Sequence, residues 1–178
     1  MLTFPEIVKR TPKLRQENAK YVKLASPKFG YTPKGHAFVA VKSWSTKVLT
    51  RQGLIVKKTN PDKYVTVVEF LDDKLHVNLS CSCPDFMYRF EVALHNNQAA
   101  NIEYSNGELP VMTNPAMVAA CCKHCIALFD RLRGVMTKKM MAPMKVRKNV
   151  KASVIPSHFK QNQASIVVKP TSRLYENK

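Results

Sequence analysis

Two cysteines, Cys81 and Cys83, stand one residue apart at the end of a run that alternates like a β-strand, and Pro84 follows them directly. A disulfide between them would be strained, because cysteines this close on an extended backbone cannot easily reach disulfide geometry. Side chains two residues apart on a strand do share one face, so both thiols are placed to hold a single metal ion. The pair therefore predicts half of a metal site.

A second pair of metal-ligand residues, Cys122 and His124, follows after a spacer of 38 residues. Apolar residues recur at helical spacing from Val118 to Gly134, which predicts a helix with this pair in its first turn. The partial positive charge of a helix N-terminus stabilises thiolates, and Lys123 between the two ligands adds to it. Three thiolates and one imidazole complete a tetrahedral Zn²⁺ shell with no vacant position, as in structural zinc sites.

Other roles for these residue types remain open. Cysteine is among the most buried residue types, so the five cysteines could serve core packing, the role we favour for Cys121 and Cys125. Cys121 could replace Cys122 as a ligand if the helix began differently, and His95 is an alternative ligand. The remaining histidines are interpreted as ordinary surface or strand residues: His36, His76 and His158.

The two pairs resemble the SWIM-type zinc finger, whose signature is C-x-C, a variable gap and then C-x-H. The segments that carry the resemblance are VTVVEFLDDKLHVNLSCSC and CCKHCIALFDRL, with Phe86 as the aromatic residue after the first pair. The resemblance implies a β-hairpin and a helix that hold Zn²⁺ through four ligands: Cys81, Cys83, Cys122 and His124.

The resemblance covers residues 63–135, and the spacer is longer than is usual for the family, which predicts an insertion at 84–116. SWIM-type fingers are regarded as modules that bind DNA or other proteins and are not catalytic. The combination of CSCPDFMYR with IEYSNG and TNP is also similar to SWIM-type proteins of phages.

Around the two pairs, the pattern predicts an α+β fold, with a small antiparallel sheet and a helix around one structural zinc. Runs rich in β-branched residues predict strands at 37–45, 53–58, 63–70 and 75–80, the last two joined by a turn at Asp72-Asp73. Short helices are expected at 13–23 and 84–95, the second with Pro84 in its first turn.

The net charge of +17 is distributed unevenly. Residues 1–35 carry eight Lys/Arg against two Glu, and residues 131–178 carry twelve against one, whereas 36–130 carry nine of each sign. We therefore predict a basic N-terminal arm at 1–35, a zinc-binding domain at 36–135 and a basic C-terminal arm at 136–178, with both arms extended. Such arms suit a polyanion, and nucleic acid, DNA or RNA, is the usual one.

A second hypothesis gives the arms a structural role. In a large assembly such as a virus particle, the same Lys/Arg side chains would lie along acidic surfaces of protein neighbours, and the zinc module would act as an adaptor. Solubility alone would not require an excess of eleven positive charges over 48 residues.

The composition also argues against several protein classes. At 178 residues the chain suits one domain, and it has no run of 18 apolar residues that would span a membrane. The first residues lack the apolar core of a secretory signal, which predicts an intracellular location, in the cytoplasm, the nucleoid or a virion. An odd number of cysteines fits reduced thiols better than a disulfide framework.

Catalytic interpretations fit poorly. A zinc hydrolase or deaminase needs an open coordination position and a nearby acid–base Glu, whereas four protein ligands would close this shell. The chain has no H-x-E or P-C-x-x-C motif and, with five glycines, no phosphate-binding Gly-rich loop. The sequence therefore predicts a protein that is not an enzyme.

Overall fold

The computed structural model describes residues 1–134, so the predicted C-terminal arm at 136–178 lies outside the described residues. Within residues 1–134 the longest helix has ten residues, and no helix there is long and apolar enough to cross a membrane. The elements occur in the order α1 (Phe4–Arg10), α2 (Lys13–Ala19), β1 (Val22–Leu24), β2 (Lys28–Tyr31), β3 (Ala37–Ser45), β4 (Lys47–Leu49), β5 (Ile55–Lys57), β6 (Tyr64–Phe70), β7 (Val77–Cys81), α3 (Pro84–Met87), α4 (Glu91–His95) and α5 (Lys123–Leu132).

The main sheet is antiparallel and is built around β3. Strands β1 and β2 both pair with one edge of β3, β6 pairs with the other edge, and β7 pairs with β6. The predicted strands at 37–45, 63–70 and 75–80 correspond to β3, β6 and β7, which confirms the α+β class with a small antiparallel sheet. The strand predicted at 53–58 pairs instead with β4 in a separate two-stranded hairpin.

The core lies between one face of this sheet and helix α5. Alternation along the strands turns Val41, Val68 and Leu79 to that face, where all three are fully buried. Helix α5 covers them with apolar side chains such as Leu128 and Leu132. Burial of a side chain of this size contributes about 1.5–3 kcal/mol, so the contact between the sheet and α5 stabilises the fold strongly.

The N-terminal segment is not an extended arm, which corrects the prediction for residues 1–35. Thr3 begins α1 with a capping box, in which its side chain accepts from the Glu6 backbone N–H and Glu6 accepts from the Thr3 backbone N–H. Phe4 and Ile7 are fully buried, and the Phe4 ring packs edge-on against Phe129 of α5, with 5.0 Å between ring centroids. Residues 1–35 therefore belong to the same folded unit as the sheet and α5.

Two prolines of the N-terminal segment lie at the start of its helices. Pro5 lies in the first turn of α1, and Pro12 is the N-cap of α2. Proline is tolerated in the first helical turn because those N–H groups have no partner within the helix. The helix predicted at 13–23 is correspondingly real but shorter, since β1 begins at Val22.

The single helix predicted at 84–95 is instead two short helices, α3 and α4, separated at Tyr88–Phe90. Both contribute buried side chains to the core, among them Phe86 and Leu94. The buried Glu91 carboxylate then accepts backbone N–H groups from the following loop, at 3.1 Å from Glu103 and 2.6 Å from Ser105. The residues after the first cysteine pair are therefore packed against the core.

Replacing Phe4 by Ala tests whether the N-terminal segment belongs to the core. We expect Phe4→Ala to lower the free energy of unfolding by about 3–5 kcal/mol, because it leaves a cavity against Phe129. Urea denaturation measures the change, with Lys9→Ala on the exposed side of α1 as the control. Equal midpoints for the two variants would contradict the packing of α1 on α5; if Phe4→Ala does not fold, Ile7→Val provides a milder cavity.

Candidate metal centre

Four side chains from two distant parts of the chain converge in the core: Cys81, Cys83, Cys122 and His124. Their candidate ligand atoms all lie within 4.8 Å of one another, and all four residues are buried. The His124 Nδ1 atom is 4.0 Å from the Cys81 sulfur and 3.9 Å from the Cys122 sulfur. A tetrahedral site with zinc–sulfur bonds of about 2.3 Å has edges of about 3.8 Å, so these side chains fit one metal ion.

The first cysteine pair is positioned by the end of β7. Cys81 is the last residue of the strand and pairs with Thr66 of β6. The Ser82 backbone N–H then donates to Val65, and Cys83 stays extended as the N-cap of α3, where its sulfur accepts the Phe86 N–H at 3.4 Å. An N–H donor at this sulfur stabilises a thiolate, which is the form that binds metals.

The second pair is positioned by the start of α5. Cys122 is the N-cap residue, with φ −77° and ψ 165°, and His124 lies in the first helical turn. Helix α5 packs on the sheet, and the end of β7 meets the beginning of the helix at the four-residue cluster. The positive end of the helix dipole therefore faces three sulfur atoms.

The thiols influence one another's protonation. Burial opposes ionisation of Cys81, but hydrogen bonds from Cys122, Cys125, Cys83 and Thr66 hold its pKa well below the usual value. Burial likewise opposes ionisation of Cys122, whose pKa is nevertheless lowered to about 6, with the Cys125 thiol as the main cause. Burial and the neighbouring Cys122 and Cys81 raise the pKa of Cys83. The lowered pKa values of Cys81 and Cys122 favour the thiolate form, which is the form that binds metals.

The His124 ring has its two nitrogens in different surroundings. Nδ1 faces the sulfur atoms, whereas Nε2 is buried and has no hydrogen-bond partner among residues 1–134. Tyr64 of β6 packs against the ring at 5.1 Å between centroids and fixes its orientation. Metal coordination through Nδ1 would leave the proton on Nε2, so that nitrogen would be a donor directed away from the metal.

The other candidate ligands lie elsewhere. The Cys121 thiol contacts the Thr11 hydroxyl at 3.6 Å, outside the four-residue cluster, so Cys122 is the residue of the two that joins it. His95 lies within hydrogen-bond distance of the Ala100 carbonyl through Nδ1, at 3.1 Å, and does not join the cluster.

One neighbour of the site was not expected from the sequence. The Cys125 sulfur lies 3.6 Å from the Cys122 sulfur, within hydrogen-bond distance of it. The signal was present in the spacing, because residues three apart in a helix share a face and Cys122 is the N-cap. Cys125 is therefore an outer partner of a ligand as well as a packing residue.

Helix α3, whose N-cap residue is Cys83, is attached to helix α2 by a bidentate ion pair between Asp85 and Arg15. Arg15 donates from Nε to Asp85 Oδ2 and from a terminal nitrogen to Oδ1, both at 2.9 Å, and its guanidinium lies 5.1 Å from the centre of the Phe90 ring. The hydrogen bond to Asp85 raises the pKa of Arg15 despite partial burial. The N-terminal segment thus helps to position the first ligand pair.

Comparison with protein-family models, with curated proteins and with solved structures gives no match to this chain. The fold and the geometry of the four-residue cluster are therefore the basis for inferring the function of this protein.

Substitution of the ligands tests the metal centre. We expect the chain to bind one Zn²⁺ or one Co²⁺, and the Co²⁺ form to show the d–d absorption of a tetrahedral site and thiolate-to-metal charge transfer. Cys83→Ser or His124→Asn should weaken binding by more than the roughly 10–100-fold that loss of an outer partner costs. Cys121→Ser, whose thiol contacts Thr11, is the matched control. Unchanged metal affinity in the Cys83→Ser and His124→Asn chains would exclude the four-residue site.

Substitution of Arg15 tests the attachment of the first ligand pair. Arg15→Lys keeps the charge but loses the bidentate geometry, and we expect the unfolding free energy to fall by roughly 1 kcal/mol. Arg89→Lys is the control, because Arg89 approaches the same carboxylate at 3.2 Å without hydrogen-bond alignment. Urea denaturation of the zinc-loaded chains gives both values; a larger effect for Arg89→Lys would argue against the role of Arg15.

Proposed function

We propose that this protein is a non-catalytic zinc protein of the SWIM type that binds nucleic acid through basic surfaces, with the zinc module as the body that positions them. Zn²⁺ is favoured by the donor set, since three thiolates and one imidazole suit a structural zinc site. The four buried ligands would hold Zn²⁺ and, through it, join β7 to α5. Structural zinc contributes apparent binding free energies of about 10–16 kcal/mol, a large share of the stability of a domain this size.

Support for a nucleic-acid role comes from the β4–β5 hairpin. It carries four basic residues and no acidic residue between positions 46 and 61: Lys47, Arg51, Lys57 and Lys58. All four are exposed, and the turn at its tip is closed by a hydrogen bond from the Thr50 N–H to the Leu54 carbonyl at 2.8 Å. Although residues 36–130 have a net charge of zero, they therefore include a basic hairpin that is exposed on the folded domain.

Basic charge is present in both parts of the chain. Residues 1–134 carry 19 Lys/Arg and 11 Asp/Glu, a net of +8, and residues 135–178 carry ten Lys/Arg and one Glu, a net of +9. Phosphate contacts are the main sequence-independent source of affinity for nucleic acid, and each one needs a cation that can reach the backbone. The hairpin offers such cations on a defined element, and the C-terminal segment would add to them.

The alternative role, as a structural or adaptor subunit in a large assembly such as a virus particle, has its own support. The loop before α5 exposes three apolar side chains, Leu109, Val111 and Met112, the last at 91%. Exposed apolar residues close together mark protein contacts more often than nucleic-acid contacts. A protein neighbour would cover this loop, and the basic C-terminal arm would lie over an acidic surface beside it.

The salt dependence of binding tests the proposed role. We expect the zinc-loaded full chain to bind DNA or RNA duplexes with a log–log salt slope that reports several phosphate contacts, at about 0.9 per contact on duplex DNA. Replacing Lys47, Arg51 and Lys57 by Gln should lower the slope by up to roughly 2–3 if each contacts a phosphate.

The control carries three replacements of the same type in the C-terminal segment: Lys145→Gln, Arg147→Gln and Lys148→Gln. A fall in slope with these alone would place the contacts in the C-terminal arm. Absence of binding to either duplex at low salt would contradict the nucleic-acid role and favour the adaptor role. In the adaptor role, Met112→Ser should weaken the contact between the exposed loop and its protein neighbour.

A further inference from the structure

A pocket of about 220 Å³ opens beside the metal centre, between its outer side and the base of the β4–β5 hairpin. Its wall includes Ser45 at the end of β3, Lys58 at the end of the hairpin, Tyr64 of β6, and Lys123 and His124 of α5. The Lys58 backbone N–H donates to Thr46 at 2.9 Å, which fixes the hairpin base against this wall. Residues from four elements therefore meet around one small space.

Two residues of the wall each carry a buried polar atom without a hydrogen-bond partner among residues 1–134: the Ser45 hydroxyl and His124 Nε2. Their residues are only 4% and 2% exposed. Buried polar groups are nearly always hydrogen-bonded, and an unpaired one is costly. With Nδ1 of His124 bound to a metal, Nε2 would be a donor that needs an acceptor, and the second ring N–H of a metal-binding histidine usually has one.

The charged side chains of the wall leave a cationic balance. Asp85 is already bound by Arg15 through two hydrogen bonds, and Asp62 accepts from the Tyr64 hydroxyl at 3.2 Å. Lys58 and Lys123 are close enough to act on the same space, and neither has a carboxylate within ion-pair distance among the described residues. With Asp85 paired to Arg15, two ammonium groups stand against the single charge of Asp62, a net of +1 on the wall, and an imidazole nitrogen and a hydroxyl lie beside them. This combination suits an anion.

We propose that this pocket binds a phosphate group, with the Ser45 hydroxyl and His124 Nε2 as its inner donors and Lys58 and Lys123 as its cations. A phosphate has several acceptor oxygens, which would supply a partner to each of the two unpaired buried atoms. The space greatly exceeds the roughly 30 Å³ of one water molecule, so a phosphate with its surrounding water can enter. The N-terminus of α5, a helix of ten residues, adds partial positive charge at the same place.

The phosphate could come from a nucleic-acid backbone or from a free phosphate or nucleotide. The first source rests on the proposed nucleic-acid role and gives that role a defined contact: a backbone phosphate held at the base of the basic hairpin. The second source is independent of that role. Both present the same terminal oxygens to the same donors, so competition between ligands is needed to separate them.

Inorganic phosphate is the probe for the pocket. We expect it to raise the melting temperature of the zinc-loaded full chain more than chloride at equal ionic strength, and to bind in a calorimetric titration. Ser45→Ala and Lys58→Ala should each weaken this binding about tenfold, since hydrogen bonds to charged groups are the stronger kind. Lys74→Ala removes an exposed charge from the turn at the other end of the β6–β7 hairpin and should change affinity by less than about twofold.

Zinc content, measured on each variant, separates a local effect from loss of the fold. Phosphate that stabilises no more than chloride, or equal affinities for Lys58→Ala and Lys74→Ala, would overturn the proposal and leave the pocket to water.

A short single-stranded DNA then identifies the source. Displacement of phosphate by DNA, together with weaker DNA binding by Ser45→Ala, indicates a backbone phosphate. Phosphate binding without displacement by DNA indicates a free phosphate or nucleotide. If the chain binds DNA but not phosphate, the pocket is not a phosphate site, whereas the proposed nucleic-acid role still stands.

Discussion

The meeting of the end of β7 with the start of α5 is the contact on which the rest of the structure depends. Cys81 closes the edge strand of the sheet and Cys122 begins the helix, so one cluster fixes where the strand stops and where the helix starts. The direction of α5 across the sheet follows from this junction. Phe4 and Ile7 of α1 then complete the same core, with Phe4 packed against α5.

The features that the sequence predicted are those determined by neighbouring residues. Alternating β-branched residues identified β3 as residues 37–45, and the same pattern located β6 and β7. The spacing of each ligand pair reflects a local geometry as well, since Cys81 and Cys83 lie at the end of a strand and Cys122 is a helix N-cap. The sequence allowed the two pairs to be assigned to one metal site because three thiols and one imidazole complete a known coordination shell.

The features that the sequence did not predict depend on contacts between distant residues. Prolines such as Pro5 and Pro12 occur both in irregular segments and at the start of helices. Only the burial of Phe4 and Ile7 shows that they begin helices here. The net charge of zero for residues 36–130 likewise gave no sign of the basic hairpin, because acidic residues elsewhere in this range balance its cations. The pocket wall combines positions 45, 58 and 123–124, which no local pattern connects.

His124 links the two sites by its ring. Its Nδ1 faces the thiols, its Nε2 is buried without a partner among residues 1–134, and the residue lines the pocket, so the proposed zinc and the proposed phosphate would share one imidazole. A Zn²⁺ with three thiolates has a net charge of −1, which on its own would repel a phosphate. Lys58 and Lys123 on the pocket wall offset that charge and the charge of Asp62. The zinc would then fix the orientation of a donor while the lysines supply the attraction, and this division of roles allows a closed structural metal site to contribute to binding without chemistry at the metal.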